Sequence, residues 1–230
     1  MKARLTLTVV ALLGACGGGT PMSPPLPPLA AVSSVACVST GTVVRIQLFG
    51  DSTMAGYSGS SLAVHTPQVA LQADMDAMFG AGAVSVESRA VGSTTSGRLV
   101  LGTDGLNAPW PASVNADIVV VNHGINDAAT GVSPLAYRAN LEVLAIAPAQ
   151  VVFETPNPVE DFEVAPYAHT MSAVATAQGL PVADTFAYVT GLGGNYRADW
   201  AHPRDDLYQY IVRLSLEPAL VPMVKTLRCR

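Results

Sequence analysis

Three polar runs, far apart in the chain, each hold one residue suited to moving an acyl group. Ser52 lies in LFGDSTMAGY (Leu48–Tyr57), Asn126 in HGINDA (His123–Ala128) and His202 in DWAH (Asp199–His202). A serine hydroxyl attacks a carbonyl only if its proton leaves as the bond forms, so it needs a base. Histidine is the usual base because it titrates near neutrality. A carboxylate on the second ring nitrogen fixes the tautomer and stabilises the imidazolium. Asp199 and His202 are three apart, so one turn can hold both. The oxyanion needs donors. Asn126 offers an amide, and Gly92 in AVGSTTSG (Ala90–Gly97) offers a backbone N–H where a side chain would crowd the substrate.

Each residue has a plainer reading. Ser52 could cap a helix, and Asn126 could cap its own turn. Ser93 or Val91 could supply the donor assigned to Gly92, and Asp184 is a rival to Asp199. Asp51 and Asp127 are expected to organise their own loops. His123 is expected to be structural, and His65 and His169 to lie on the surface or on helices.

The runs acquire a common location from the elements around them. VVRIQLF (Val43–Phe49), AVSVES (Ala83–Ser88), DIVVVNHG (Asp117–Gly124), QVVFETP (Gln150–Pro156) and LPVAD (Leu180–Asp184) read as strands. The third lacks polar alternation, as a strand covered on both faces does. Helices are expected over Thr66–Phe79, from Ser133 and Pro134 to Ile146, and over Tyr167–Gln178. A last helix comes after His202, with Leu207, Ile211 and Leu214 on one face. Alternating strands and helices predict a three-layer α/β/α sandwich with a five-stranded, mostly parallel sheet of flavodoxin-like type. Sites in such sheets form at the carboxyl ends of strands, which puts all four runs on one rim.

GDS at Gly50–Ser52, Gly92, GIND at Gly124–Asp127 and DWAH at Asp199–His202 together resemble the four blocks of the SGNH, or GDSL-type, esterase superfamily, in that family's order. The resemblance covers the chain from about Val43 onward. It implies Ser52 as nucleophile, His202 as base and Asp199 as its orienting acid. The implied oxyanion donors are the Ser52 and Gly92 N–H groups and the Asn126 amide. GDSTM is similar to the nucleophile block of rhamnogalacturonan acetylesterase-like members, which hints at deacetylation of a polysaccharide. The expected partner is therefore an ester, either a small acyl ester or an acetylated polysaccharide. An acyltransferase acting on a sugar hydroxyl would use the same residues. A non-catalytic carbohydrate-binding surface lipoprotein is the reading from another class; the nucleophile, base and amide together speak against it. The loops Gly56–His65, Thr155–Val164 and Thr190–Asp199 are expected to shape the substrate sites. Tyr57, Trp110 and Trp200 are the aromatics that could stack on sugar rings.

The remaining features concern the ends and the bulk. Lys2 and Arg4 precede an apolar run and LGAC (Leu13–Cys16), which reads as a signal peptide over residues 1–15. The run ends like a bacterial lipobox, so Cys16 is the expected lipidation site and the protein is expected to be exported, lipid-anchored in the periplasm or outer membrane of a bacterium. Residues 16–36, rich in Gly and Pro, read as a tether, and 37–230 as the hydrolase domain. Cys37 and Cys229, near the domain ends, are an expected disulfide in an oxidising exterior. The net charge of −5, with only two lysines, excludes a nucleic-acid binder. No metal-ligand spacing, dinucleotide loop or P-loop occurs, so no metal and no cofactor are expected. A monomer is expected.

Overall fold

The computed structural model describes residues 25–36, 38–193 and 196–229. Its elements, in chain order, are β1 (Val44–Gly50), α1 (Ser52–Ala55), β2 (Tyr57–Ser58), β3 (Ser61–Leu62), α2 (Pro67–Phe79), β4 (Val84–Ser88), α3 (Ser96–Leu101), β5 (Ile118–Asn122), α4 (Ile125–Ala129), α5 (Pro134–Leu144), β6 (Gln150–Glu154), α6 (Ala165–Gln178), β7 (Val182–Ala183), α7 (Thr185–Gly191), α8 (Asp205–Ile211) and α9 (Glu217–Arg228). A π-helical turn, Val212–Leu216, joins α8 to α9. The five expected strands form one sheet in the order β4-β1-β5-β6-β7, every pair parallel. The connection reverses direction at β1. Its loop and that of β5 therefore diverge and leave a crevice at their carboxyl ends. Gly50 pairs with Asn122 at that edge.

Period-two alternation on buried strands builds a core on each face. Val44, Ile46 and Leu48 of β1, with Val120 of β5, meet Leu71 and Met75 of α2 and the C-terminal helix. Phe49, Val119, Val121, Val151 and Phe153 point the other way, onto Tyr137 and Leu141 of α5 and Met171 of α6. Pro at the first position and a hydroxyl cap start two of the expected helices. Thr66 accepts from the Val69 N–H, and Ser133 from the Ala136 N–H.

The last helix departs from its expected face. Leu207 and Ile211 are buried, but Leu214 is half exposed. The π turn inserts about one residue, which rotates the chain beyond it by roughly 100°. Val212, Leu216, Leu220 and Val224 consequently take the inner face.

Residues 25–36, expected as part of a tether, lie along the domain. Leu26 and Leu29 pack on Leu207, Tyr210 and Ile211, and Val32 and Val35 on the first core. The Tyr210 hydroxyl donates to the Pro27 carbonyl, Arg213 donates to the Ala30 carbonyl at 2.9 Å, and the Val35 N–H donates to the Met78 carbonyl at 2.8 Å. The four apolar residues recur every third position, the period of a polyproline II helix, so an extended segment presents them all to one side. The chain ends also meet. Ser39 bridges to Cys229, and the Thr40 N–H donates to the Arg228 carbonyl at 2.9 Å. Cys229 is disulfide-bonded. Cys37, Cys16 and the expected signal over residues 1–15 lie outside the described residues.

Gly50 is fixed by space. A Cβ there would stand 2.5 Å from both the Asn122 carbonyl oxygen and Met54 Cβ, where backbone cannot yield. Gly191 meets nothing within 4 Å. Gly50→Ala is expected to lose at least about 2 kcal/mol of stability or fail to fold, while Gly191→Ala stays within about 1 kcal/mol. Urea unfolding of both variants checks this.

Candidate active site

Ser52 opens α1, but it is not the cap. Asp51 holds that position, and its carboxylate accepts from the Thr53 N–H at 2.9 Å. The serine hydroxyl is left for another partner. Ser52 Oγ lies 2.9 Å from His202 Nε2, across 150 residues of chain. His202 Nδ1 lies 2.7 Å from Asp199 Oδ2. With its proton on Nδ1 the imidazole donates to the carboxylate, and Nε2 accepts from the serine. The other carboxylate oxygen, Oδ1, accepts from the N–H groups of Ala201 at 2.8 Å and His202 at 2.7 Å, so the acid also folds the loop that carries the base. Partial burial pushes the Asp199 carboxyl up, but these N–H groups and the imidazole outweigh it and hold it below the usual range. Asp184 is elsewhere: it caps α7 through the Ala187 N–H and accepts from Thr155 Oγ1.

Gly92 reaches the same place because the chain after β4 keeps running beside β1. The Arg89 N–H donates to the Leu48 carbonyl, and the Val91 N–H to that of Gly50. A Cβ on Gly92 would stand 3.7 Å from Ser52 Cβ, in ordinary contact. The protein could accept a methyl there, but the space is the one beside Ser52. Ser93 has φ +60, a left-handed conformation that costs a residue with a side chain about 1 kcal/mol or more. Thr94 steadies this turn through Oγ1 donating to the Val91 carbonyl at 2.6 Å.

Asn126 arrives from the neighbouring strand end and donates one amide hydrogen to the Thr94 carbonyl at 3.1 Å. That bond aims the amide toward the Gly92 loop. Asp127 does not organise its own loop, as expected, but the facing one. Its carboxylate accepts from Ser96 N–H at 3.1 Å and Ser96 Oγ at 2.6 Å, and Asn140 donates to that same Oγ at 3.0 Å. Gly124 permits the turn into α4 at φ +139, and a Cβ there would press on Pro156 Cγ at 2.8 Å.

Of the other histidines, His123 is buried and held toward its neutral form chiefly by that burial. His65 pairs with Asp205, which also accepts from the Val64 and His65 N–H groups. His169 lies on α6 beside Phe186. Trp110, against expectation, cannot stack on a substrate. It is buried against Phe49, with its indole N–H donating to the Ile146 carbonyl at 2.8 Å. Tyr57 stays at the site, its ring centroid 6.0 Å from that of His202 and an edge atom 4.0 Å from the place of a Gly92 Cβ. Among the described residues no group of acids, histidines and cysteines could hold a metal.

Near Ser52 lie two buried acids, Asp51 of the GDS run and Glu154, the second of which the motifs did not reveal. Burial pushes the Asp51 carboxyl up to about 6, against the pull of the Thr53 N–H. Burial likewise pushes Glu154 up to about 7, although Thr185 and Asn122 donate to it. Thr185 Oγ1 lies 2.8 Å from Glu154 Oε1 and 2.9 Å from Ser215 Oγ, a residue that the π turn faces inward. The signal in the sequence was an acid ending a strand with no other polar residue after Gln150.

Residues 48–210 match the GDSL-like lipase/acylhydrolase family. No curated protein matches the chain in sequence. Solved structures share its fold. A lipase/acylhydrolase from Enterococcus faecalis is 24% identical with a TM-score of 0.64, the match covering 80% of this chain and 97% of that one. An acetylxylan esterase from Geobacillus stearothermophilus is 17% identical with a TM-score of 0.61, covering 84% and 95%. A carbohydrate acetylesterase family member from Sinorhizobium meliloti is 18% identical with a TM-score of 0.60, covering 80% and 99%.

Glu154 ties this geometry to pH. Its ordinary value is 4.5, and the folded chain raises it to about 7. The stability it lends is therefore complete below its unfolded value and is lost as pH rises through the folded one. Glu154→Gln cannot ionise. Between about pH 5 and pH 8 the melting temperature of the wild type is expected to fall more than that of Glu154→Gln. Parallel curves from calorimetry would refute this account of the buried acid.

Proposed function

Because the chain belongs to the GDSL-like lipase/acylhydrolase family, we propose that it hydrolyses carboxylic esters at Ser52, with His202 as base and Asp199 as the acid that orients it. The observation that carries this reading is the continuous contact from Ser52 Oγ through both imidazole nitrogens to Asp199. His202 Nε2 takes the hydroxyl proton as Oγ bonds to the acyl carbon. The resulting oxyanion is held by the N–H groups of Ser52 and Gly92 and by the Asn126 amide. Collapse breaks the bond to the alcohol oxygen, which receives the proton from Nε2. Water then gives a proton to Nε2 as it attacks the acyl-serine, and the acid leaves as Ser52 recovers its hydrogen.

The proposed substrate carries a small acyl group, and an acetylated polysaccharide fits best. Tyr57 supports the first part, since its ring lies 6.0 Å from that of His202 and its edge 4.0 Å from the place of a Gly92 Cβ, close enough to restrict room for an acyl chain at Ser52. The GDSTM run supports the second. So do the acetylxylan esterase and the carbohydrate acetylesterase that share the fold. We also propose export and lipid anchoring at Cys16. The charged, apolar start of the chain supports this. Pairing of Cys229 with Cys37 is part of the same proposal, favoured by the bridge at Ser39.

Two experiments test this reading. With ethyl acetate as substrate, Ser52→Ala and His202→Ala are each expected to lower kcat by more than about 10³-fold, and Asn126→Ala by about 10²-fold. Asp199→Asn is expected to cost less than removing the serine. Undiminished turnover in Ser52→Ala would refute the assignment. In a series of alkyl esters, activity is expected to drop by roughly tenfold or more between acetate and octanoate, and Tyr57→Ala to flatten that drop.

A further inference from the structure

The direction of proton transfer divides the site into two sides. The oxyanion faces Gly92 and Asn126. The departing alcohol oxygen must lie beside His202 Nε2, because that nitrogen supplies its proton. The alcohol portion of the ester therefore extends along the loop that carries His202.

That loop presents aromatic surface. Trp200 stands between Asp199 and His202, and two residues of backbone span no more than about 7 Å. It forms an edge-to-face pair with Phe162, ring centroids 5.5 Å apart at 80°, and each residue is 39% exposed. Two apolar rings left this open, on a loop that also carries His202, are not part of a core. They are also held in place. The Glu160 N–H donates to the Trp200 carbonyl at 3.0 Å, and Asn157 donates to the Ala201 carbonyl at 3.0 Å. The loop over 157–163 is thus fastened to the base loop as one wall. Glu160, which is exposed and paired with Arg197 at 3.3 Å, adds charged hydrogen-bonding groups at its edge.

Resting on the ester-hydrolase reading, we infer that the Phe162–Trp200 corner is the alcohol-side subsite and that it takes a sugar ring of an acetylated saccharide. A pyranose has an apolar C–H face that lies flat on an aromatic ring and a rim of hydroxyls that needs partners such as Glu160. A right-angled aromatic pair with a charged edge offers both. A long aliphatic alcohol would use the rings and leave the charged edge without purpose.

The test compares an acetylated xylo-oligosaccharide, which can reach the corner, with ethyl acetate, whose alcohol cannot. The ratio of kcat/KM for the sugar ester to that for ethyl acetate is expected to fall about tenfold in Trp200→Ala and somewhat less in Phe162→Ala, mainly through KM, with Trp200→Phe intermediate. An unchanged ratio, whether neither activity falls or both fall together, would overturn the subsite. A second arm does not depend on turnover. In Ser52→Ala, the xylo-oligosaccharide is expected to change tryptophan fluorescence, and that response is expected to vanish in Ser52→Ala/Trp200→Phe. A response that survives would place the sugar elsewhere. Loss of ethyl acetate hydrolysis in Ser52→Ala tests the ester-hydrolase reading by itself.

Discussion

A hydroxyl and an imidazole separated by 150 residues have to meet within hydrogen-bond distance, and most of the architecture serves that meeting. Bringing such distant segments together costs loop entropy that a single hydrogen bond cannot offset. Packing supplies the difference. The five parallel strands set all their carboxyl ends on one rim, and β1 ends on it with Ser52. The C-terminal helices then return to the face of β1 through Val212, Leu216, Leu220 and Val224. His202 comes just before these helices, so the core contact that docks them also places its imidazole. The bridge at Ser39 and Cys229 and the apolar stripe of residues 26–35 hold the same helices from outside. Ser52 and His202 are thus joined through the hydrophobic core as well as through a hydrogen bond.

Much of this was legible because the chemistry and the periodicity agree. Unbroken apolar runs such as Ile118–Val121 report strands covered on both faces, and hydroxyl-Pro starts report helices. The strand-end rule then sorts the polar runs onto one rim. What was not legible has physical causes too. Leu214 fits a continuous helix, and only a π turn, which leaves no mark in hydropathy, turns it outward. Pro-rich composition suggested slack over 25–36, yet composition ignores phase. The three-residue recurrence of Leu26, Leu29, Val32 and Val35 was the usable signal, at a period that neither helix nor strand templates test. Trp110 and Trp200 are alike in sequence. One is buried with its N–H satisfied and one is exposed beside the base, a difference that arises only from long-range packing.

The side of the site proposed to hold the oxyanion depends on a tie between two loops that neither could hold alone. Gly92 lies after β4 and Asn126 after β5, on opposite sides of β1. Asp127 bridges them through Ser96, and Asn126 itself leans on the Thr94 carbonyl. Donors that do not have to reorganise when charge appears are worth the most. The left-handed Ser93 fits that view, because the tie through Ser96 and the Thr94 hydroxyl together over-determine a turn that the backbone by itself would not choose.

The buried acids answer to the same requirement. In the proposed reaction a tetrahedral intermediate would put a full negative charge on oxygen a few ångströms from Ser52. Ionised carboxylates packed under the serine would oppose it, and in a dry interior such repulsion is weakly screened. Sequence places Asp51 directly beside Ser52, and the fold places Glu154 behind it, within reach of Asn122. Burial eases that opposition, chiefly at Glu154, since it moves Glu154 to about 7 and Asp51 to about 6 and so keeps about half of the first and about a tenth of the second uncharged at pH 7. Asp199 has the opposite task and the opposite surroundings. In the proposed role it would stay charged to stabilise an imidazolium, and three donors from its own loop favour that form. Acids set apart by burial and by hydrogen bonding, around one histidine, suit the acyl chemistry proposed for this rim.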